Sequence, residues 1–234
     1  MANMENTSLG GISLLSDLSE KALGEISKRC SWRKFTTGEQ ILDRQSDSCD
    51  LYFIVAGRAR VVIYSFSGRE VTFDDREAGD YFGELAALDG EPRSANVVAL
   101  EETLVAILSQ DGFLQMLMTY PQVTVRILKN LAKIVRISTD RIMDLSTLGA
   151  NNRVHAELLR LATSNVDDDN MARISPIPIH GDIASRVSTT RETVARVFSD
   201  LTRERILQRD RDALLILDVE RLTDIVQEVR GDGD

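Results

Sequence analysis

The run from Tyr81 to Asn96 combines an acid, an arginine and glycines in a segment that is too apolar for an ordinary loop. A short helical turn follows Gly83, and backbone N–H groups at a helix start attract an anion. Arg93 adds a planar fork of donors that suits a phosphate. Glu84 is an acceptor, so beside a phosphate its expected partner is a sugar hydroxyl. Phosphate and ribose together indicate a nucleotide.

The remaining candidates in this run are neutral. Ser94 and the backbone N–H of Ala95 would add donors, and Gly83 lets the backbone approach a ligand closely. Leu85 and Ala86, which belong to the short helical turn, complete this part of the candidate ligand-binding set. The alternative is a surface ion pair between Glu84 and Arg93 beside a turn.

The order of residue types in this run favours the ligand site, because Phe-Gly-Glu-Leu-Ala, a spacer and Pro-Arg-Ser-Ala resemble the phosphate-binding cassette of cyclic-nucleotide-binding domains. The resemblance implies that Glu84 holds the ribose 2′-hydroxyl and that Arg93 and Ser94 hold the cyclic phosphate. Phe73, on the preceding strand, is a candidate for the base pocket, with an ordinary core position as the alternative.

Composition excludes several other classes of function. A chain of 234 residues with 43% hydrophobic content allows two modest domains, and no apolar run approaches membrane-spanning length. We therefore expect a cytoplasmic protein without a membrane partner. The two cysteines and two histidines are scattered, which favours neither a disulfide framework nor a metal site or other bound cofactor. The net charge of −9 argues against indiscriminate nucleic-acid binding.

The elements that must position the run are strands. Ser19 and the helical spacing after it predict a helix over residues 19–30. Period-two alternation and short apolar runs between Trp32 and Ser109 predict an antiparallel β-roll, with glycines at the turns. The predicted strands are Gln40-Ile-Leu, Leu51-Tyr-Phe-Ile-Val, Ala59-Arg-Val-Val-Ile-Tyr, Glu70-Val-Thr-Phe, Ser94-Ala-Asn-Val-Val-Ala and Leu104-Val-Ala-Ile-Leu.

A long periodic segment follows the roll. Pro121 suits the first turn of a helix and Gly149 its end, which leaves a helix long enough to need a partner helix. Spacings of three and four form an apolar seam through Leu128, Leu131, Val135, Ser138, Ile142 and Leu145. The polar Ser138, with Thr139 beside it, is either a register-setting seam position or, as the family resemblance implies, a pair of hydroxyls that reach the purine across a dimer.

The C-terminal third predicts a DNA-binding domain. Residues 153–164 form a predicted helix capped by Asn151 or Asn152. Residues 181–198 predict a helix–turn–helix, and a β-hairpin wing over 206–217 and a closing helix over 219–229 follow. Arg191, Glu192 and Arg196 would face outward together to read a major groove, with Thr190 as the helix cap and a phosphate contact.

Thr190-Arg-Glu-Thr-Val-Ala-Arg196 resembles the recognition helix of the CRP/FNR transcription factors, and the two motifs occur in that family's order. The chain is therefore identified as resembling the cyclic-AMP-receptor branch of this family. The resemblance implies an α+β fold with three segments: a β-roll over 1–120, a dimerisation helix and hinge over 121–149, and a winged helix–turn–helix over 150–234.

The function that this resemblance implies is a homodimeric regulator that responds to cyclic AMP and also cyclic GMP. Its implied partners are double-stranded DNA with palindromic TGTGA-like half-sites and RNA polymerase. Two alternatives stay open. An enzyme acting on a nucleotide would need a nucleophile, base or metal set beside Arg93, and none is visible. The second alternative is a family member that is ligand-independent or gated by another effector.

Overall fold

The computed structural model describes residues 8–64, 70–163 and 166–230, without the side chains of residues 70, 71 and 73. The chain divides into two compact units, 1–134 and 135–234. The boundary falls inside one continuous helix, Pro121–Thr147, which we call α4. The three-segment division with boundaries at 120 and 149 stays a prediction.

The first unit is built on antiparallel strands. In chain order these are Ser31–Phe35 (β1), Gln40–Leu42 (β2), Leu51–Ala56 (β3), Arg58–Tyr64 (β4), Glu70–Glu77 (β5), Tyr81–Phe82 (β6), Asn96–Ala99 (β7) and Thr103–Leu108 (β8). They form two sheets with the orders β1-β8-β3-β6 and β2-β7-β4-β5. Both sheets contribute buried side chains to one cluster, which includes Phe35, Ile54 and Val97. The predicted β-roll is therefore confirmed.

In the described part of the chain, a short 3-10 helix, Ser13–Leu15, and three α-helices precede α4. The α-helices accompany the roll. They are Glu20–Ser27 (α1), Glu84–Asp89 (α2) and Gln110–Thr119 (α3). Ser19 is the N-cap of α1 and accepts a hydrogen bond from the N–H of Ala22 at 3.3 Å. The helix ends at Ser27, three residues before the predicted end. Helix α2 interrupts the strands between β6 and β7 and carries the candidate ligand residues Glu84, Leu85 and Ala86.

The second unit contains the C-terminal half of α4 and the elements that follow it. These are Ala150–Ala162 (α5), Ala172–Ile174 (β9), His180–Arg186 (α6), Arg191–Arg203 (α7), Leu207–Asp210 (β10), Ala213–Ile216 (β11) and Val219–Arg230 (α8). The three strands form a sheet in the order β10-β11-β9. Buried side chains of α5, α6, α7 and α8 share one hydrophobic core with this sheet, so the predicted helix–turn–helix with a β-hairpin wing is confirmed.

The predicted start of α5 is wrong. The helix begins at Ala150 after Gly149, which has an extended backbone and provides no side-chain cap. Asn151 and Asn152 therefore lie inside the first turn. The Asn151 side chain has another partner, since its Oδ1 accepts a hydrogen bond from Arg196 Nη2 at 3.1 Å. A tertiary contact thus uses the oxygen that a cap would have needed.

Candidate functional site

The candidate ligand site in the first unit depends on the glycine at position 83. Gly83 is the N-cap of α2 and has φ +86°, a left-handed conformation that L side chains avoid. A Cβ built there would lie 2.7 Å from Arg93 Nη1 and 2.9 Å from the carbonyl oxygen of Asp50. The glycine is therefore required for close approach of the Arg93 guanidinium to the start of α2.

Arg93 is a buried cation whose hydrogen-bond partners among the described residues are all neutral. Its side chain is 3% exposed. Nη1 donates to the carbonyl of Gly83 at 3.0 Å, and Nη2 donates to Ser48 Oγ at 3.1 Å and to the carbonyl of Asp50 at 2.8 Å. Nε is buried without a hydrogen-bond partner among the described residues. Burial lowers the pKa of Arg93, as expected for a desolvated charge that lacks a paired anion.

Glu84 is the matching buried acid. Its residue is 7% exposed, and burial raises the pKa of its carboxyl, while its own backbone N–H and then Arg76 and Arg93 oppose that rise. Among the described residues, no other side chain donates a hydrogen bond to this carboxylate. Its own backbone N–H uses only part of the acceptor capacity of the carboxylate, so the carboxylate can also accept a hydrogen bond from a ligand hydroxyl.

The other predicted ligand residues divide by exposure. Ala86 and Ala95 are buried, Leu85 is 37% exposed, and Ser94 is exposed next to the buried Arg93. Phe73 lies on β5, but its side chain is outside the described residues, so its place at the base pocket stays a prediction.

Ser138 and Thr139 belong to the second unit, where both are exposed on α4. Thr139 Oγ1 donates to the carbonyl of Val135 at 3.0 Å, one turn earlier in the same helix. Their contact with a purine stays a prediction.

The sequence did not predict the residues that accept hydrogen bonds from Arg93 Nη2. Ser48 and Asp50 lie more than 40 positions earlier, in a polar segment without a motif. Tyr52 also faces the guanidinium, with its ring centroid 5.7 Å from Arg93 Cζ, and it stacks on Phe82 at 5.0 Å. The alternation of apolar residues in β3 predicted Tyr52 as a strand residue but gave no sign of this contact.

The helix–turn–helix in the second unit positions the predicted DNA-reading residues. Thr190 caps α7 by accepting from the N–H of Thr193 at 3.2 Å. Val194, Val197, Phe198 and Leu201 form the buried face of α7. Arg191, Glu192 and Arg196 are exposed on the opposite side. The predicted faces of the helix are therefore confirmed, and the role of these three side chains in base recognition stays a prediction.

Two of these side chains have defined supports. Arg191 packs over Gly181 of α6, where an added Cβ would lie 2.8 Å from Arg191 Nε. Glu192 receives hydrogen bonds from its own backbone N–H and from Thr190, which lower the pKa of its carboxyl. An ionised Glu192 is an acceptor only, which suits the amino group of cytosine.

Arg153 of α5 links Leu148, which follows α4, to the turn of this motif. Its Nη1 donates to the carbonyl of Leu148 at 2.9 Å, its Nε to the carbonyl of Val187 at 2.8 Å and its Nη2 to the carbonyl of Ser188 at 3.1 Å. Ser188 has φ +52°, a conformation that few non-glycine residues adopt. The Arg153 side chain thus holds the backbone at Leu148 and the backbone of the turn at Val187 and Ser188. No pattern in the sequence predicts this role.

A buried ion cluster holds the end of α4 to the helices that follow it. Two acids, Asp144 and Glu157, are 5% and 1% exposed. Arg160 pairs with both, and Arg230 Nη2 lies 2.5 Å from Asp144 Oδ1. Glu157 also lies 4.0 Å from Arg141 Nη2 and 3.6 Å from Arg186 Nη1. The cluster therefore connects α4, α5, α6 and α8 within the second unit.

The wing carries its own ion pairs. Arg173 of β9 donates to Asp210 at 3.0 Å and to Asp212 at 2.9 Å. Both acids lie at the turn of the β10–β11 hairpin, so they offset the charge of a cation beside the wing.

Helix α4 carries an exposed apolar stripe, which here means Val125, Leu128, Val135, Ile142 and Leu145. These side chains are between 49% and 64% exposed. Leu131, a predicted seam residue, instead packs partly against the core of the first unit. Ser138 is exposed at its predicted seam position.

The described residues lack two further kinds of feature. They contain no group of three or more His, Cys, Asp or Glu that could hold a metal ion. In the same ranges, no helix has the length and apolar content that crossing a membrane requires.

Two family models match the chain. Residues 32–120 match the cyclic nucleotide-binding domain, and residues 152–225 match the Crp-like helix-turn-helix domain. The first segment contains Glu84 and Arg93, and the second contains Arg191.

Individual proteins are also similar to this chain in sequence or in fold. The chain is 24% identical over 202 residues to the CRP-like cAMP-activated global transcriptional regulator of Mycobacterium tuberculosis, covering 86% of this chain and 90% of that one. Its fold is similar to a CooA mutant from Carboxydothermus hydrogenoformans, with a TM-score of 0.79 at 21% identity over 92% of this chain and 95% of that one. It is also similar to CLP, the c-di-GMP responsive global regulator of Xanthomonas campestris, with a TM-score of 0.65 at 17% identity over 85% of this chain and 99% of that one.

Proposed function

This chain belongs to the CRP/FNR family of transcription regulators, and from that premise we propose that it is a homodimer whose binding to DNA is controlled by a cyclic nucleotide. The observation that carries the proposal is the pair Arg93 and Glu84. Among the described residues, the guanidinium has only neutral hydrogen-bond partners and the carboxylate receives no hydrogen bond from another side chain, so the two groups complement a cyclic phosphate and a ribose hydroxyl.

The effector that we propose is cyclic AMP, with cyclic GMP also accepted. The relative from Mycobacterium tuberculosis is cAMP-activated, which supports the first. Ser138 and Thr139 would contact the purine, and a hydroxyl can rotate to donate or accept. Since adenine presents a donor and guanine an acceptor at the six-position, such contacts discriminate weakly. Ser94, exposed beside Arg93, would reach the amino group of a guanine that lies over the ribose.

The proposed dimer rests on the apolar stripe of α4. Side chains of this size seldom form an exposed row along a helix unless a partner covers it. The spacings of three and seven along the stripe suit the seam of a second identical helix. A dimer would also supply the two recognition helices that a palindromic site requires.

Ligand control would act on the hinge at residues 148–152. A ligand that binds one arrangement of the hinge more tightly shifts the population toward that arrangement. Arg153 is suited to transmit the shift, because the same guanidinium binds the carbonyl of Leu148 and the carbonyls of the helix–turn–helix turn.

The test of the effector is calorimetric titration with cyclic AMP and cyclic GMP in parallel, with adenosine 5′-monophosphate as the control ligand. We expect both cyclic nucleotides to bind and the control to bind more weakly, because its phosphate carries an extra charge and lacks the ring. If neither cyclic nucleotide bound at millimolar concentration, the result would contradict the proposal.

The alternative is a family member gated by another effector. CLP shows that this fold also occurs in a c-di-GMP responsive regulator, so the fold does not determine the ligand. Operator binding that proceeds equally well with and without either cyclic nucleotide, in a protein that fails the titration, would favour this alternative.

For DNA we propose palindromic TGTGA-like half-sites, read by Arg191 at a guanine and by Glu192 at a neighbouring C·G pair. Arg191→Ala should reduce discrimination at that guanine by about 1–3 kcal/mol, since the guanidinium forks onto O6 and N7. Gel shifts with base-substituted operators measure this.

Arg203→Ala is the matched control on the same helix, because Arg203 is exposed and pairs with Asp200. The control should rank the operators as the wild type does. An Arg191 variant that also keeps the wild-type ranking would contradict the assignment of Arg191 to a base.

A further inference from the structure

Arg76 points into the roll from β5. It pairs with Ala59 of β4 across the sheet, and Ala59 is fully buried in the core between the two sheets. Directly paired residues on neighbouring strands share a face, so Arg76 projects from the inner face. The next pair, Arg60 and Asp75, alternates to the other face and forms a cross-strand ion pair at 2.7 Å.

The guanidinium of Arg76 is incompletely bonded. Its Nη2 lies 3.3 Å from Asp74 Oδ2, in a pair whose acid is half exposed. Its Nε is buried and has no hydrogen-bond partner among the described residues. A buried N–H without an acceptor is costly, and a bound ligand that supplies the acceptor would remove that cost.

Arg76 acts on the same carboxylate as Arg93. Both guanidiniums lower the pKa of the Glu84 carboxyl, against the effect of burial, and Arg76 lowers it more than Arg93 does. Arg76 also lowers the pKa of Tyr81, the residue directly before the cassette. Arg76 is thus a second cation beside Glu84, contributed by the roll and absent from the Phe-Gly-Glu-Leu-Ala and Pro-Arg-Ser-Ala motifs.

The chemistry of a ribose hydroxyl fits these two groups. A 2′-hydroxyl donates one hydrogen bond and accepts others, whereas a carboxylate only accepts. Glu84 can therefore satisfy the proton of the hydroxyl but not the lone pairs of its oxygen. The lone pairs of the oxygen need an N–H donor near Glu84. Among the described residues, Arg76 Nε–H is a buried donor without an acceptor.

We propose that Arg76 binds the 2′-oxygen of the cyclic nucleotide while Glu84 accepts the hydrogen bond from the same hydroxyl, so that together they select a ribonucleotide over a 2′-deoxyribonucleotide. This inference rests on the proposed function. A 2′-deoxy ligand would leave both groups without a partner, and sites built to bond a hydroxyl reject analogues that lack it.

The experiment measures the ratio of dissociation constants for 2′-deoxy cyclic AMP and cyclic AMP. The wild type, Arg76→Leu, Arg76→Gln and the control Arg33→Leu are compared, Arg33 being 60% exposed on β1. We expect Arg76→Leu to lower the ratio by about tenfold, since cyclic AMP loses a bond that the deoxy ligand never made. Arg76→Gln, which keeps a neutral donor, should lie between, and Arg33→Leu should keep the wild-type ratio.

The ratio separates recognition from a structural role, because general damage to the pocket weakens both ligands alike. Should Arg76→Leu fail to fold, Arg76→Gln carries the test. A wild-type ratio in the folded Arg76 variants would overturn this inference while leaving the proposed function standing. A wild-type protein that binds neither ligand would overturn both.

Discussion

Replacing Arg93 by alanine should weaken cyclic-nucleotide binding by about 2–4 kcal/mol, because the ligand phosphate loses a charged partner in a closed pocket. The effect should exceed that of Glu84→Ala, although both act on the same ligand. Glu84 has a neutral hydroxyl as its proposed partner, whereas Arg93 is the cation nearest the proposed phosphate. Calorimetric titration of the folded variants with cyclic AMP measures both losses.

The Arg93 variant also leaves protein groups without a donor, namely the carbonyls of Gly83 and Asp50. Thermal unfolding must therefore accompany the titration, to show that the variant remains folded. Arg33→Ala, on an exposed arginine of the same unit, is the control and should bind like the wild type. Wild-type affinity in a folded Arg93→Ala protein would mean that the cassette does not hold the ligand.

Replacing Glu157 by alanine should destabilise the second unit by about 3–5 kcal/mol, since it removes one of the two buried acids that balance the arginines of the ion cluster. Glu157 is 1% exposed and contacts Arg160, Arg141 and Arg186. Urea denaturation followed by circular dichroism measures the free energy of unfolding. Because the chain contains two units, the transition that changes must be assigned to the second.

Glu228→Ala, which removes an exposed acid from α8, is the matched control and should change stability by less than about 0.5 kcal/mol. A Glu157 variant as stable as this control would show that solvent screens the cluster in spite of its burial. Glu157→Gln separates charge from shape, because it keeps the side-chain volume and one acceptor.

The parts of the structure that the sequence predicted are those that local patterns determine. The turn at Gly83, the cap at Thr190 and the two faces of α7 depend on residues within a few positions of one another. Helix periodicity and capping chemistry therefore sufficed. The cassette and the recognition helix also follow a specific order of residue types, which a family resemblance can detect.

The predictions that failed or were incomplete involve contacts between distant segments. Strand β5 was predicted only to Phe73, because Asp74-Asp75-Arg76-Glu77 is too polar for a strand pattern. The strand continues to Glu77 because Asp75 pairs with Arg60 on the neighbouring strand. The same extension brings Arg76 to the inner face. Likewise, neither the partners of Arg93 nor the cluster around Glu157 has a local pattern that could reveal it.

The aspartates of the wing affect how this protein would search a genome. A DNA phosphate that approaches Arg173 must compete with Asp210 and Asp212, which already hold its guanidinium. Binding to arbitrary sequence depends almost wholly on such phosphate contacts, and the chain as a whole carries a net charge of −9. The protein should accordingly stay only briefly on the wrong sequence. More of it then remains free to reach the few sites that the proposed base contacts of Arg191 and Glu192 would fit.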